Sequence, residues 1–352
     1  MKKIVLTLLL SLTILFVIAQ APSGYYSAAD GKNGEELMEA LHLIIKDHTA
    51  LDYAALWAVF PITDVNEDGT VLDMYSSCEF TFGEDQDGGS GGSTECELYN
   101  REHSFPQSWF NKKSPMVSDL FHIYPVDKKV NSVRDNYPFG QVGENVTYTS
   151  TNNCKLGTSS YSGYTGVVFE PTDEYKGDFA RTYFYMVTRY YDVVEGFNTP
   201  MLDKTKFPAF TEWALNLLLE WHEQDPVSEK EIVRNNLIYD DYQHNRNPFI
   251  DNPNYAKDIW DYTNSTAPSL FAAQRITVSP NPAQNMVKVE TNLSGNTTLS
   301  IYNLLGNRLI RYENIPAHDT NPINISALPN GVYLISVETI GGKAITRLVV
   351  NR

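Results

Sequence analysis

The chain has 352 residues, 42% of them hydrophobic, and a net charge of −16. That length holds two or three domains and buries a sizeable core. The acidic balance speaks against a tight electrostatic binder of nucleic acid, and three cysteines leave an odd count.

Residues 1–19 read as a secretory signal peptide. Lys2 and Lys3 form the positive end, Ile4–Ile18 is largely apolar, and Ala19 precedes Gln20. The apolar run is short for a membrane span and nothing later resembles one, so the mature chain is expected to be soluble and exported. Residues 34–60 carry apolar side chains at helical spacing, with His42 and His48 as ordinary helix residues. Asp64-Val65-Asn66-Glu67-Asp68-Gly69 imitates the start of a calcium loop, but the closing glutamate would fall at Tyr75. A polar turn is expected there, with a weak calcium site as the alternative. Gly83–Glu95 reads as a flexible loop. In an exported protein Cys78 and Cys96 are the preferred disulfide pair, with Cys154 left over; the alternative is three free thiols.

A polar block follows at residues 100–110, Asn100-Arg101-Glu102-His103-Ser104-Phe105-Pro106-Gln107-Ser108-Trp109-Phe110. A second block runs from Asp119-Leu120-Phe121-His122-Ile123-Tyr124-Pro125 into Val130-Asn131-Ser132-Val133-Arg134-Asp135-Asn136. Carboxylates, imidazoles, carboxamides and guanidiniums so close together suit metal-assisted cleavage of a phosphodiester, which needs an activated water and a cation near the phosphate. Glu102 and Asn131 are oxygen donors of the kind Mg²⁺ takes. His103 can accept a proton from water near neutral pH, and Arg101 and Arg134 can fork onto phosphate oxygens. Residues 96–103 read as an extended run and 126–136 as a short helix. Adjacent strand residues point to opposite faces, so Glu102 and His103 share a site only if the strand ends or twists there. The charge distribution helps: residues 60–100 hold ten acids and no Lys or Arg, whereas residues 101–140 hold six Lys/Arg and four acids. No His-Glu-x-x-His run or close cysteine pair suggests zinc, and a Cys96–His103 protease pair fits the surrounding residue types poorly.

Phe179–Tyr191 is an apolar-aromatic helix whose rings read as core; Arg181 and Arg189, eight apart, lie roughly on one face, and Arg181 is a candidate phosphate contact. Pro208–His222 and Asp225–Tyr239 read as helices, the second opened by Asp225-Pro226, while Arg246-Asn247-Pro248 is turn-like and His222 and His244 are structural or solvated. Composition changes near residue 264. Residues 20–275 carry a balance of −20 and residues 276–352 one of +2. Residues 264–275 form a linker, and the tail shows β-type runs at Met286–Glu290, Thr298–Tyr302, Arg308–Tyr312, Val332–Val337 and Ala344–Val350, separated by turn residues. The fold class expected is α+β: a mainly helical body over residues 20–263 and a small antiparallel β-sandwich over residues 276–352.

The two polar blocks, with Phe169–Asp192 and Asp225–Pro253, resemble the bacterial endonuclease I family, over roughly residues 30–262. The resemblance implies a secreted or periplasmic, sequence-nonspecific nuclease with a ββα-metal site, products with 5′-phosphates, and activity on DNA and often RNA. It implies His103 as general base, Glu102 and Asn131 as ligands of one Mg²⁺ (Mn²⁺ or Ca²⁺ in its place), and Arg134 and Asn136 in support. Two departures stand out: Phe121 replaces the first of the His-His pair many members have, and the insert carrying a catalytic arginine in some members is missing. Lys112, Lys113 or Arg181 could supply that cation. The segments "VSPNPAQNMVKVE", "LSIYNLLGNRLI", "LPNGVYLISVET" and "AITRLVV" resemble the C-terminal sorting domain of the type IX secretion system. That implies passage through an outer membrane by the secretion machinery, then release or surface attachment. A monomeric Mg²⁺-dependent endonuclease is therefore expected. The alternatives are a noncatalytic surface adhesin and a phosphodiesterase acting on lipids or small nucleotides.

Overall fold

The computed structural model describes residues 21–260, 276–291, 296–303, 308–316, 322–339 and 342–352. The expected signal peptide 1–19 and the linker 264–275 lie outside the described residues. The chain divides into two compact units, Met1–Tyr262 and Thr263–Arg352. Among the described residues no helix is long and apolar enough to cross a membrane.

The first unit is built around one enclosed helix, Lys176–Arg189. It opens with α1 (Gly34–Ile45) and α2 (Leu56–Thr63). The continuous helical pattern over 34–60 is thus broken in two. His42 stays on α1, buried, with Nδ1 against the Thr188 and Arg189 carbonyls, but His48 sits in the connector, where its Nδ1 accepts from Arg189 Nε at 2.9 Å. The Thr49 N–H is held by the Gln243 carbonyl, a distant partner that takes the chain off the helical path. Residues 64–71 form a tight turn, closed by bonds from the Asn66 amides to Thr70 and Val71, with Asp64 turned inward to pair with Arg234 at 2.8 Å. Cys78 and Cys96 are joined in a disulfide, and Cys154 is free and buried.

Strand β1 (Tyr99–His103) pairs antiparallel with β2 (Ile123–Asp127), with Glu102 opposite Tyr124 and His103 opposite Ile123. The chain runs from β2 directly into α3 (Lys128–Arg134). Asp127 ends the strand and caps the helix: its Oδ1 accepts from Val130 N at 3.0 Å and its Oδ2 from Cys96 N at 2.8 Å. Next comes an antiparallel sheet of β3 (Val142–Thr149), β4 (Lys155–Ser159) and β5 (Val167–Glu170), in that spatial order. Gly157 is required there, because a Cβ would lie 2.5 Å from the Asn145 carbonyl oxygen.

The enclosed helix is α4 (Lys176–Arg189), in which every residue but Asp178 is buried. A helix apolar or paired all round belongs in a core. Phe179 packs on Phe139 at 4.7 Å between ring centres, Phe184 packs on Trp260 at 4.8 Å, and the Tyr185 and Tyr190 hydroxyls both donate to Asp119 Oδ2. Around it lie α5 (Glu212–Gln224), α6 (Glu229–Leu237), α7 (Pro248–Asp251) and α8 (Asn254–Trp260). Helix α6 starts three residues after Asp225-Pro226, at a reciprocal cap between Ser228 and Glu231.

The second unit is all β. Strands β6 (Ile276–Ser279), β7 (Met286–Thr291) and β10 (Ile323–Asn324) form one antiparallel sheet in the order β10-β7-β6. Strands β8 (Asn296–Tyr302), β9 (Arg308–Pro316), β11 (Gly331–Thr339) and β12 (Gly342–Val350) form the other, in the order β12-β11-β8-β9. Val287 and Ile325 share one apolar core with Leu299, Ile301, Ile335 and Leu348. All five expected runs are strands, and β6 and β10 add to them. The chain is α+β, with helices and antiparallel sheets in the first unit.

Candidate functional site

Strand alternation sorts the first polar block onto two faces of β1. Asn100 and Glu102 lie on the face that α3 covers. Asn131 Nδ2 donates to Asn100 Oδ1 at 2.7 Å, and one helical turn on, Arg134 Nη1 meets Glu102 Oε1 at 2.9 Å. Two residues along a strand rise about 6.6 Å and three along a helix about 4.5 Å, a difference that the long Arg134 side chain spans. Tyr75 also donates to Glu102 Oε1, at 2.7 Å, and among the described residues Oε2 has no side-chain partner. Glu102 is 2% exposed. Burial pushes its carboxyl above the usual range, against the pull of Arg134 and Tyr75. Asn100 and Asn131 are half-buried, and Asn131 Oδ1 accepts no hydrogen bond among the described residues.

Arg101 and His103 belong to the other face. The Arg101 guanidinium lies 3.7 Å over the Tyr53 ring and 4.5 Å over Trp57, and its Nη1 donates to the Tyr53 carbonyl at 2.6 Å. It remains half-exposed. The His103 imidazole ends the strand, 5.6 Å from Tyr53, 5.4 Å from His122 and 6.5 Å from Phe110 between ring centres. Its Nε2 lies 3.0 Å from the Val117 carbonyl oxygen. A carbonyl only accepts, so Nε2 carries the proton and Nδ1 keeps the lone pair in the neutral ring. Burial, and then the neighbouring His122, lower the His103 pKa to about 3. The ring is therefore neutral at physiological pH, with the Nδ1 lone pair unprotonated. His103 and Glu102 meet only through the backbone: Arg134, bonded to Glu102, also donates from Nη1 to the His103 carbonyl at 3.0 Å and from Nη2 to the Ser104 carbonyl at 2.6 Å.

Two arginines lie elsewhere than direct contact with a substrate requires. Arg134 is wholly buried, spent on Glu102, two carbonyls and the Phe139 ring; it positions β1 and does not reach solvent. Arg181 is 1% exposed and tied to both Glu231 oxygens, to Asp178 and to the Asp225 carbonyl. It braces α4 against α6, where a Cβ on Gly177 would come within 2.0 Å of the same Asp225 oxygen. Lys112 and Lys113, by contrast, are exposed and make no side-chain hydrogen bond or ion pair among the described residues. Asn136 is exposed. Cys96 lies in the disulfide and so cannot serve as a thiol nucleophile.

Sequence reasoning gave no role to Asn100, Tyr75, Tyr53 or the Val117 carbonyl. Period-2 alternation was a usable signal for Asn100, two residues before Glu102. Nothing local marks Tyr75 or Tyr53, which arrive from distant segments.

The donor set, a carboxylate and a carboxamide oxygen on one face, suits a hard cation such as Mg²⁺, which keeps most of its waters. Among the described residues no three of His, Cys, Asp or Glu gather as a metal-binding group, which argues against a tight, protein-only cage. A surface cavity lined by Tyr25, Tyr26, Ile232, Ile250 and Asp251 contains none of the site residues.

Comparison with known proteins gives this arrangement its class. Residues 33–254 match the family model for endonuclease I, and residues 277–351 match that of a secretion system C-terminal sorting domain. The chain is an enzyme, a nuclease, and its tail marks it for secretion or attachment to the cell surface. It belongs to the endonuclease I family. An extracellular ribonuclease of Bacillus amyloliquefaciens is 39% identical over 243 residues, 67% of this chain and 78% of the relative. An extracellular ribonuclease of Bacillus subtilis (strain 168) is 36% identical over 242 residues, again 67% and 78%. Endonuclease-1 of Buchnera aphidicola subsp. Acyrthosiphon pisum (strain APS) is 26% identical over 139 residues, 40% of this chain and 46% of the relative.

Proposed function

We propose that this protein is a Mg²⁺-dependent, sequence-nonspecific endonuclease that hydrolyses phosphodiester bonds of RNA and DNA outside the cell, leaving 5′-phosphates. The unit β1–β2–α3 is its ββα-metal site, residues 20–263 its catalytic domain, and the two tail sheets a small sandwich that serves sorting by the type IX machinery. The observation that carries this is the pairing of α3 with one face of β1, which brings the oxygen donors Glu102 and Asn131 to the same side while His103 ends the strand with an Nδ1 that has no hydrogen-bond partner among the described residues. The two Bacillus relatives named as ribonucleases support RNA as a substrate.

Glu102 and Asn131 would hold the cation. Once bound it supplies positive charge to the phosphate and to the departing oxygen. His103 Nδ1 takes the proton of the attacking water, and the Val117 carbonyl keeps the ring in the tautomer that can do so. Arg134 fixes the backbone of His103 and Ser104 and shares the charge of Glu102 without touching the substrate. Arg101, held flat against Tyr53 and half-exposed, contacts a phosphate next to the scissile one, and Lys112 and Lys113 add positive charge where an inserted arginine is missing.

Incubation of supercoiled plasmid and of structured RNA with the purified protein tests this. Cleavage of both in Mg²⁺ and of neither in EDTA is expected. Both polymers intact in Mg²⁺ would overturn it in favour of a noncatalytic adhesin, and turnover of a small chromogenic diester with both polymers intact would favour a small-molecule phosphodiesterase.

A further inference from the structure

We infer that Asn100 is a positioning residue for the metal: by accepting the hydrogen bond from Asn131 Nδ2 it turns the Asn131 carboxamide so that Oδ1 faces the cation. The inference rests on the proposed role of Asn131 as a ligand and goes a step behind it.

The case begins with the asparagine side chain. Its terminal torsion is broad and roughly two-fold, so the backbone alone does not decide whether oxygen or nitrogen faces a given side. An amide nitrogen cannot ligate a hard cation, and a carboxamide that spends half its time reversed is a poor ligand. The backbone of Asn131 is fixed, because α3 begins at the Asp127 cap and Asn131 lies within its first turns. What remains loose is the carboxamide, and the side chain hydrogen-bonded to it is Asn100, at 2.7 Å. With Nδ2 committed to Asn100, Oδ1 is the end left without a partner among the described residues, and Asn131 is half-buried rather than sealed.

The placement of Asn100 follows from the strand. It stands two residues before Glu102 on the same face of β1, opposite Val126, so one strand carries one ligand and the partner that orients the other. The two contacts between β1 and α3 then divide the work. Glu102–Arg134 is wholly buried and fixes the spacing of the two elements. Asn100–Asn131 is half-exposed and sets which atom points outward. Partners that orient a metal ligand typically contribute on the order of 10–100-fold in affinity.

Two substitutions separate this role from general scaffolding. Asn100→Ala removes the acceptor, whereas Asn100→Asp keeps an acceptor and cannot donate, so it enforces the proposed orientation of Asn131. The measurement is Mn²⁺ binding to the full-length protein by calorimetry, backed by the Mg²⁺ dependence of cleavage. For Asn100→Ala the Mn²⁺ dissociation constant is expected to rise on the order of 10-fold or more, with the half-saturating Mg²⁺ concentration rising in parallel. Asn100→Asp is expected to bind Mn²⁺ at least as tightly as wild type. Unchanged Mn²⁺ affinity in Asn100→Ala, or a loss in Asn100→Asp as large as in the alanine variant, would overturn the inference. Asn131→Ala run alongside keeps the two levels apart. If it loses Mn²⁺ while Asn100→Ala does not, only the role of Asn100 fails. If neither it nor Glu102→Ala changes Mn²⁺ binding, the metal site itself has been misassigned.

Discussion

Removing the Arg134 side chain gives the sharpest test of how the site is held together. The guanidinium is 0% exposed and meets Glu102 Oε1, the His103 and Ser104 carbonyls and the face of Phe139. Arg134→Ala would leave a carboxylate that is itself 2% exposed without its counter-charge and would strip two carbonyls of their donor. Breaking a buried pair from one side costs about 3–5 kcal/mol, because the remaining charge stays desolvated. For a domain of this size each kcal/mol lowers the melting temperature by about 2–4 °C, so a fall of roughly 6–20 °C is expected. Differential scanning calorimetry of the metal-free protein reads it directly. The double variant Arg134→Met with Glu102→Gln, which removes both charges together, should recover part of the loss. A melting temperature within about 2 °C of wild type for Arg134→Ala would refute the assignment of Arg134 as the brace between β1 and α3.

Four further outcomes follow from the same geometry. His103→Ala should cleave RNA about 10²–10⁴-fold more slowly, the scale of general-base assistance, with Mn²⁺ binding retained; a rate near wild type would remove His103 from the chemistry. Arg181→Ala should lower the melting temperature and leave KM for the polymer unchanged, since the guanidinium is spent on Glu231 and Asp178; a raised KM without destabilisation would return it to the substrate. Replacing Cys78 and Cys96 by serine opens a loop with a separation of 18 residues, which the loop-entropy estimate puts at about 3 kcal/mol of stability, measurable by denaturant titration. Asp73 gives a pH dependence. Burial raises its pKa to about 7, with Ser76 and Tyr75 N–H pulling the other way. The folded state therefore holds a proton that the unfolded state has lost between about pH 4 and 7, and wild-type stability from this group falls as pH rises through that window. Asp73→Asn should be more stable than wild type at pH 8, and the advantage should vanish near pH 4; an advantage independent of pH would contradict the buried ionisation.

Much of this was legible in the chain. The core character of the α4 rings, the run into β1, the short α3 and the tail strands follow from local periodicity and turn residues, and the Cys78–Cys96 pair from the oxidising setting of an exported chain. The sheet β3–β5 was not legible, because β3 lies largely in solvent and carries a polar sequence that reads as loop. The break between α1 and α2 has no glycine or proline to announce it, since the Gln243 carbonyl that redirects the chain arrives from far along the sequence. The start of α6 was readable from Ser228 and Glu231, a capping box that outranks the Asp225-Pro226 signal. At the site, Glu102, His103 and Asn131 stood out by residue type, but the roles of the arginines did not. Composition marks Arg134 and Arg181 as charged, whereas only packing reveals that both are enclosed and held by buried partners.

The most direct test of the central claim is an anomalous diffraction experiment on crystals soaked in Mn²⁺. One strong peak is expected in coordination contact with a Glu102 oxygen and Asn131 Oδ1, with His103 Nδ1 directed toward the water and phosphate side of the ion. A peak bound elsewhere, or no peak at this pair of residues in crystals of protein that cleaves nucleic acid in Mn²⁺, would contradict it.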